Sequence, residues 1–355
     1  RPETFQVFTV EQAQATTASG GWVAPQIGNA SNVFGTHVNV APDGSSYATG
    51  TYYGSLDFDP GPGVANRISM SDGGNYLVKY DSNGNFVWVA TVGAEDDYPG
   101  GTAIAPGGEV YLVGTFSPPQ DFDPGPGTEF RTQGNAYCLK LSAAGAFQWV
   151  QTWDAPLQIY NSRVVVDAGG NPRISGIFRG TVDFDPGAGT ANHTSGTDAY
   201  DPFLVALGAA GQYQWSRNWG GGTGSQQLLP WGLDISPVGQ YAVANVLTGT
   251  GDFDPGPGVA NLTAVGQGDA YVLKLDSAGN YLWARSWGGP FSDGANGVEF
   301  DAAGNVRVAG EFHDTVDFDP GAGVVNRTAV GSTDGFALAL DAAGTFQWVG
   351  TFGGL

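Results

Sequence analysis

Short runs of alternating apolar and polar residues recur along the whole chain, and tight turns rich in Gly, Asn, Asp and Ser separate them. In the last part of the chain these runs cover residues 297–300, 306–312, 336–340 and 346–352. A period of two residues is typical of half-buried β-strands, and no segment shows the 3.6-residue period of an amphipathic helix. The pattern therefore predicts an all-β chain whose antiparallel strands are joined by hairpins.

A repeat of about 65 residues organises these runs. The pentapeptide D-F-D-P-G occurs five times, beginning at Asp57, Asp121, Asp183, Asp252 and Asp317, at intervals of 64, 62, 69 and 65 residues. Each copy stands between the second and third strands of a four-strand unit, and four-stranded units at a fixed period are typical of propeller blades. The sequence predicts a five-bladed β-propeller of four-stranded antiparallel blades. Each blade is expected to carry a small extra hairpin, for example 56–58 against 66–68.

Residues 268–289 closely match the pattern D-A-F-V-x-K-L-D-x-x-G-N-x-x-W-A-x-x-x-G-G, which follows D-F-D-P-G in a known repeat. In these residues the chain resembles the bacterial secreted β-propeller repeat family with the D-F-D-P-G motif (SBBP-like repeats). The resemblance extends from about residue 36 to the end. It implies a propeller fold and a secreted or surface location in bacteria, but it assigns no single activity.

We expect residues 1–20 to form an N-terminal extension and residues 21–355 a single propeller, with blades at about 29–93, 94–154, 155–220, 221–288 and 289–355. The Trp-containing strand occurs six times, at Trp22, Trp88, Trp149, Trp215, Trp283 and Trp348, whereas the other three strands occur five times. Residues 21–28 are therefore surplus. They are interpreted either as a strand that closes the ring or as a strand that pairs with another protomer.

The motif carboxylates are candidate calcium ligands: Asp57, Asp59, Asp121, Asp123, Asp183, Asp185, Asp252, Asp254, Asp317 and Asp319. In an extended strand the Phe of each motif points inward and both Asp residues point outward. The following Pro-Gly predicts a type II turn with a positive φ at Gly. The carboxylates either accept hydrogen bonds from turn amides or bind Ca²⁺, which prefers six to eight oxygen ligands.

Variable loops join the blades on the motif-bearing rim, and a ligand is expected there. They supply the candidate ligand-binding residues Trp231, Asp97, Tyr98 and Tyr160. The repeated tryptophans are interpreted as packing between blades. His37, His193 and His313 occupy non-equivalent positions and are interpreted as surface residues, and Cys138 as a buried small hydrophobic residue.

No catalytic residue is assigned, because five equivalent Asp pairs lack the two different environments that acid–base catalysis requires. Asp234 and Glu299 share one first-strand position, where other repeats carry Asn39 and Val165. They are interpreted either as a facing acidic pair or, as is more common for such residues, as solvated groups that line the channel. We therefore expect a non-enzymatic binding or structural component of an extracellular assembly. A lectin-like carbohydrate-binding propeller and a polysaccharide-acting glycosidase are the alternatives.

Charge narrows the classes of partner. The chain has 34 acidic and 13 basic side chains, a net charge of -21 and one cysteine. This balance disfavours nucleic acid and anionic membranes as partners, and no apolar run is long enough to span a membrane. The expected partners are a protein or a polysaccharide at the cell surface, and self-assembly through the N-terminal strand.

Overall fold

The computed structural model describes residues 32–69, 73–93, 99–196, 199–220 and 232–354. These residues contain strands, turns and loops, and none of them is in a helix. No helix in this part of the chain is therefore long and apolar enough to cross a membrane. The predicted extension and the surplus strand at 21–28 lie outside the described residues.

Twenty of the strands form five four-stranded antiparallel sheets, which we number in chain order. Sheet 1 contains β1 (Asn32–Val40), β2 (Ser46–Tyr53), β5 (Gly74–Tyr80) and β6 (Phe86–Val92). Sheet 2 contains β7 (Pro99–Ile104), β8 (Val110–Thr115), β11 (Ala136–Leu141) and β12 (Phe147–Trp153). Sheet 3 contains β13 (Gln158–Val166), β14 (Pro172–Arg179), β17 (Asp201–Leu207) and β18 (Tyr213–Asn218). Sheet 4 contains β19 (Gly232–Ile235), β20 (Tyr241–Leu247), β23 (Asp269–Leu275) and β24 (Tyr281–Trp287). Sheet 5 contains β25 (Gly294–Phe300), β26 (Val306–Phe312), β29 (Asp334–Leu340) and β30 (Phe346–Phe352).

The predicted extra hairpin follows the second strand of every sheet. The hairpins pair β3 (Ser55–Asp57) with β4 (Asn66–Ile68), β9 (Gln120–Asp121) with β10 (Phe130–Arg131), β15 (Thr181–Asp183) with β16 (Asn192–Thr194), β21 (Thr250–Asp252) with β22 (Asn261–Thr263), and β27 (Thr315–Asp317) with β28 (Asn326–Thr328). In each sheet the strands hydrogen-bond in chain order once these hairpins are set aside. The repeated four-stranded antiparallel sheets give a propeller-like β fold, as the sequence predicts.

Four apolar cores join consecutive sheets. Sheets 1 and 2 share a cluster that includes Tyr47 and Phe122, and sheets 2 and 3 share one that includes Trp153 and Phe184. Sheets 3 and 4, and sheets 4 and 5, are joined in the same way. The fifth cluster contains residues of sheet 1 alone. We call the face of a sheet that contacts the next sheet in chain order, in sheets 1–4, its outgoing face, and the face that contacts the previous sheet, in sheets 2–5, its incoming face; sheets 5 and 1 have equivalent faces.

The outgoing face carries the repeated tryptophans, and the turn between the third and fourth strands of the next sheet covers them. A Cβ atom on Gly145 would lie 2.8 Å from the ring of Trp88, so this turn packs directly against the indole. The Trp88 indole N–H also donates to the carbonyl of Ala143, at 3.1 Å. Packing between sheets is thus the observed role of the tryptophans of sheets 1–4. The prediction is wrong for Trp348, whose side chain on sheet 5 is exposed.

Candidate functional site

A cavity of about 620 Å³ lies where the innermost strands β1, β7, β13, β19 and β25 meet. All five sheets line it, and its wall continues onto the outgoing face of sheet 5 at Arg307, Ala309 and Trp348. Because each sheet contributes its first strand, one residue from each repeat occupies an equivalent place around the cavity. Differences between repeats at these places determine the chemistry of the wall.

One such place lies opposite the second residue of the second strand in every sheet. The equivalent residues there are Asn39, Ala103, Val165, Asp234 and Glu299, and all but Ala103 line the cavity. Two of these side chains reach the next inner strand. Asn39 donates to the carbonyl of Thr102 at 2.8 Å, and Asp234 accepts a hydrogen bond from the backbone N–H of Phe300 at 2.7 Å. The same position therefore links sheets 1 and 2 through a side-chain amide that donates, and sheets 4 and 5 through a carboxylate that accepts.

His37 and Arg163 meet across the cavity from sheets 1 and 3. Arg163 Nη1 lies 3.1 Å from His37 Nδ1. A Cβ atom on Gly101 of sheet 2 would lie 3.1 Å from Arg163 Cα, so the backbones of β7 and β13 approach closely here. Burial lowers the pKa of His37, and the positive charge of Arg163 lowers it further, so the imidazole is neutral at neutral pH. His37 is half-buried and was expected at the surface, so that interpretation is wrong. The glycine at the equivalent position of the intervening repeat, Gly101, is the sequence signal that could have indicated this contact.

Asp234 and Glu299 line the opposite part of the same cavity. Burial raises the pKa of Asp234, the hydrogen bond from Phe300 opposes this shift, and the nearby negative charge of Glu299 adds to it. Glu299 is exposed. The structure thus brings together the one asymmetric acidic pair that the sequence indicated, and it gives the two carboxyl groups different surroundings.

The motif carboxylates lie on the hairpins and accept hydrogen bonds from their own turns. In the first copy, Asp57 Oδ1 accepts from the N–H of Asp59 at 3.1 Å and of Ala65 at 2.7 Å. Asp59 Oδ1 accepts from the N–H of Gly61 at 2.7 Å. The other four copies repeat all three hydrogen bonds. This arrangement matches the turn-capping alternative.

A second glycine in the motif was missed by sequence reasoning. The repeated unit is D-F-D-P-G-x-G, and a Cβ atom on Gly63 would lie 2.0 Å from Asp59 Oδ2. The corresponding separations are 2.2, 2.1, 2.1 and 2.0 Å at Gly127, Gly189, Gly258 and Gly323. The glycine after proline does not have the predicted positive φ in any of the five motifs. It is required instead because Asp59 Oδ1 lies 3.0 Å from a Cβ position on Gly61.

These hydrogen bonds leave a poor donor set for calcium. In each motif both Oδ1 atoms already accept backbone hydrogens, and of the two Oδ2 atoms that of the second Asp faces the second glycine. Within the described residues, no three Asp, Glu, His or Cys side chains cluster in a way that could hold a metal ion. Two carboxylates per motif do not supply the six to eight oxygens that Ca²⁺ prefers.

The other sequence-based candidates are dispersed. Tyr160 lies in β13 with its ring 6.5 Å from that of Tyr200, and it is not among the residues that line the cavity. Trp231, Asp97 and Tyr98 lie outside the described residues. The Phe of every motif is buried as predicted, and Cys138 is fully buried, which raises its pKa. His193 is half-buried and lies 2.7 Å from Asn218 and 2.8 Å from Ser216, so its expected surface location is also wrong.

Comparison with known proteins gives partial similarities. No protein-family model matches the chain. The chain is similar to the regulatory protein FlaEY of Caulobacter vibrioides, with 31% identity over 182 residues, which are 51% of this chain and 17% of FlaEY. It is also similar to an uncharacterized WD repeat-containing protein of Acanthamoeba polyphaga mimivirus, with 25% identity over 279 residues, 68% of this chain and 19% of that protein. The chain thus spans less than a fifth of the length of these curated relatives. Among solved structures it is similar to a Bacteroides caccae protein of unknown function, with 9% identity and a TM-score of 0.39 over 78% of this chain and 90% of that one.

Proposed function

We propose that the five sheets are blades of a propeller-type scaffold that binds a protein segment at the central cavity and catalyses no reaction. The observation that carries this proposal is the loss of repeat symmetry at the cavity. The interfaces between sheets reuse the same tryptophan and glycine chemistry, whereas the cavity wall places His37 and Arg163 on one side and Asp234 and Glu299 on another. Specificity in a repeated scaffold resides where the repeats differ.

The charges on the wall suit a peptide better than an apolar small molecule. A cation on one side and carboxylates on the other can hold a peptide that carries both signs of charge, through charge-assisted hydrogen bonds. Similarity to a protein described as WD repeat-containing supports an interaction role. We retain a secreted or cell-surface location as part of the proposal, on the basis of the repeat resemblance and the acidic composition.

A peptide-display experiment tests this proposal. Random peptides selected on the wild-type chain are measured against Glu299→Gln, which alters the cavity, and against Glu109→Gln as the matched control. Glu109 pairs with Lys140 at 3.7 Å and does not line the cavity. We expect binding about tenfold weaker for Glu299→Gln, since a charge-assisted hydrogen bond is lost, and unchanged binding for Glu109→Gln. Peptides that bind both variants equally would place the binding surface elsewhere.

The hydrolase alternative has one specific observation in its favour, which is the Asp234–Glu299 pair. A half-buried carboxyl group with a raised pKa beside an exposed carboxylate is the arrangement that an acid–base pair requires. Incubation with soluble polysaccharides separates the two functions. The scaffold proposal expects no release of reducing ends, whereas release that disappears in Asp234→Asn would establish a hydrolase. The lectin alternative is supported by Trp348, which is exposed and lines the cavity, whereas the described tryptophans of sheets 1–4 pack between sheets.

A further inference from the structure

The outgoing face of sheet 5 is exposed although its residues match those buried in the other four sheets. Phe352 is 64% exposed, whereas the equivalent Val92, Trp153, Trp219 and Trp287 are at most 5% exposed. Ala309 on the second strand is exposed, while the equivalent Thr49, Val113, Ser175 and Ala244 are fully buried. The sequence of this face is therefore that of an interface between sheets.

The incoming face of sheet 1 is likewise exposed at its innermost strand, where the equivalent residues of the other sheets are buried. Val38 is 67% exposed, and the equivalent Thr102, Val164, Leu233 and Val298 are buried. No described apolar cluster joins sheet 5 to sheet 1, although a cluster joins every other consecutive pair. Sheets 5 and 1 thus stand on either side of an interface that the described residues leave open.

The four formed interfaces specify what fits on the open face. In each one, a glycine with positive φ ends the turn before the fourth strand and lies against the tryptophan of the preceding sheet. These pairs are Gly145 with Trp88, Gly211 with Trp149, Gly279 with Trp215 and Gly344 with Trp283, with Cβ positions 2.8–3.2 Å from the ring. Three of the tryptophans also donate an indole hydrogen bond to a carbonyl of the same turn. Trp348 contacts Arg307 of its own sheet, with the guanidinium 5.9 Å from the ring, as Arg173 contacts Trp215 in sheet 3, but no described turn covers Trp348.

One further side chain on sheet 5, that of Glu299, occupies a position that contacts the following sheet elsewhere in the chain. Asn39 and Asp234 each reach the inner strand of the following sheet, and Glu299 occupies the equivalent place on sheet 5 with its side chain exposed. The sequence also contains a sixth copy of the tryptophan strand, at Trp22, which has no other three strands adjacent to it in sequence. The number of tryptophan strands therefore exceeds the number of four-stranded sheets by one.

We propose that the outgoing face of sheet 5 binds a sixth four-stranded sheet of this same repeat, with a glycine-ended turn seated on Trp348. The occupant is identified by the four existing interfaces: a sheet whose turn glycine lacks a Cβ atom, whose turn carbonyl accepts the Trp348 indole hydrogen, and whose incoming face packs an aromatic cluster against Phe352. This inference rests on the propeller-type arrangement but not on what the cavity binds.

Thiol reactivity measures this face directly, because Cys138 is fully buried and is the one cysteine in the sequence. Phe352→Cys places a thiol on the open face, and Val92→Cys places one at the equivalent buried position of sheet 1. In the 355-residue chain we expect Phe352→Cys to react with a maleimide about 100-fold faster than Val92→Cys, since a buried thiol reacts after local opening. Thermal unfolding of both variants confirms that they fold.

An appended repeat then tests the occupant. A copy of residues 290–354 joined after residue 354 should slow the reaction of Phe352→Cys to the rate of Val92→Cys and raise the Tm of the chain. The matched control carries Gly344→Leu in the appended copy only, where the added side chain would collide with Trp348, and it should leave the thiol reactive.

Three results would overturn the proposal. If Phe352→Cys is as unreactive as Val92→Cys at all protein concentrations, the face is covered within the chain itself, by the first sheet or by residues 21–28. If it is protected only at high concentration, a second copy of the chain covers the face. If the appended repeat folds but leaves the thiol reactive, a sheet of this repeat is not the occupant.

Discussion

Sheets 4 and 5 carry a tryptophan at the same position of the outgoing face, in two different environments. Trp283 of sheet 4 is 7% exposed and donates its indole hydrogen to Ala342, whereas Trp348 of sheet 5 is 47% exposed. Both tryptophans lie beneath a cation, Lys274 or Arg307, contributed by their own sheet. The local conformation is therefore fixed within each sheet, and burial depends on the neighbouring sheet alone. The stability of one repeat cannot be separated from that of the next.

The largest expected difference concerns the aromatic residue at the end of the fourth strand. Trp153 is buried between sheets 2 and 3, and its indole N–H donates to Phe184 at 3.0 Å. Trp153→Ala should lower the free energy of unfolding by about 3–5 kcal/mol. Phe352→Ala, at the equivalent exposed position, should change it by no more than about 0.5 kcal/mol. Urea unfolding of both variants measures the contrast, and equal losses would show that both interfaces are closed.

The turn glycine gives a second contrast with matched backbone geometry. Gly145 and Gly304 have φ angles of 80° and 79°, but a Cβ atom on Gly145 would collide with Trp88, while that on Gly304 meets nothing within 4 Å. Gly304→Ala should lower the stability only through the strain of a positive φ angle at a residue that has a Cβ atom. Gly145→Ala should cost about 1–3 kcal/mol more, because the new methyl group displaces the indole. Thermal unfolding and the tryptophan fluorescence of both variants test this, and equal losses of stability would show that the turn yields without cost.

The motif carboxylates should show a smaller effect. Asp252→Ala removes the acceptor for the N–H groups of Asp254 and Ala260 and should cost about 2 kcal/mol. Asp252→Asn retains an oxygen at that place and should restore most of the loss. If the motif binds calcium instead, the Asn variant will lose stability as the Ala variant does, and a chelator will lower the Tm of the wild-type chain. Chemical unfolding with and without chelator distinguishes these outcomes.

The smallest expected effect is at Asp234, and its sign depends on pH. The pKa of Asp234 is raised in the folded chain, so the folded state holds the proton more tightly than the unfolded state, whose value is near 3.8. Its stability contribution is present at low pH and is lost as the pH rises through the folded pKa. Asp234→Asn should therefore raise the Tm at pH 7, by no more than about 2 °C, and should give no gain near pH 3. A constant difference across this range would contradict the assignment.

Much of the fold could be predicted from the sequence, because the signals are local. The turns ending in Gly145 and Gly344, the period-two alternation and the repeated motif predicted four strands per unit and a hairpin after the second strand. These features depend on backbone conformation, which glycine and alternation report directly. The second motif glycine was missed because its cause is a carboxylate four residues earlier, Asp59 for Gly63, rather than a turn angle.

The cavity and the open face could not be predicted in the same way. Asp234 and Glu299 were found because they share one repeat position, whereas the contact between His37 and Arg163 crosses from sheet 1 to sheet 3 past Gly101. Phe352 occupies the same repeat position as Trp287, and its exposure depends on whether another sheet packs against it. These contacts depend on how the sheets pack against one another, and the residue pattern of a single repeat does not reveal that packing.

The use of one tryptophan–glycine contact at every formed interface has a consequence for how such a chain can change over time. Any sheet that offers the turn glycine on one side and the tryptophan on the other can follow any other sheet. Duplication or loss of a whole unit therefore preserves the remaining interfaces between sheets. The loops can vary in length without disturbing these interfaces, as the motif spacings of 62 to 69 residues show. Deleting part of a unit would leave incomplete interfaces with both neighbouring sheets. Viable descendants of this chain should differ in length by whole units.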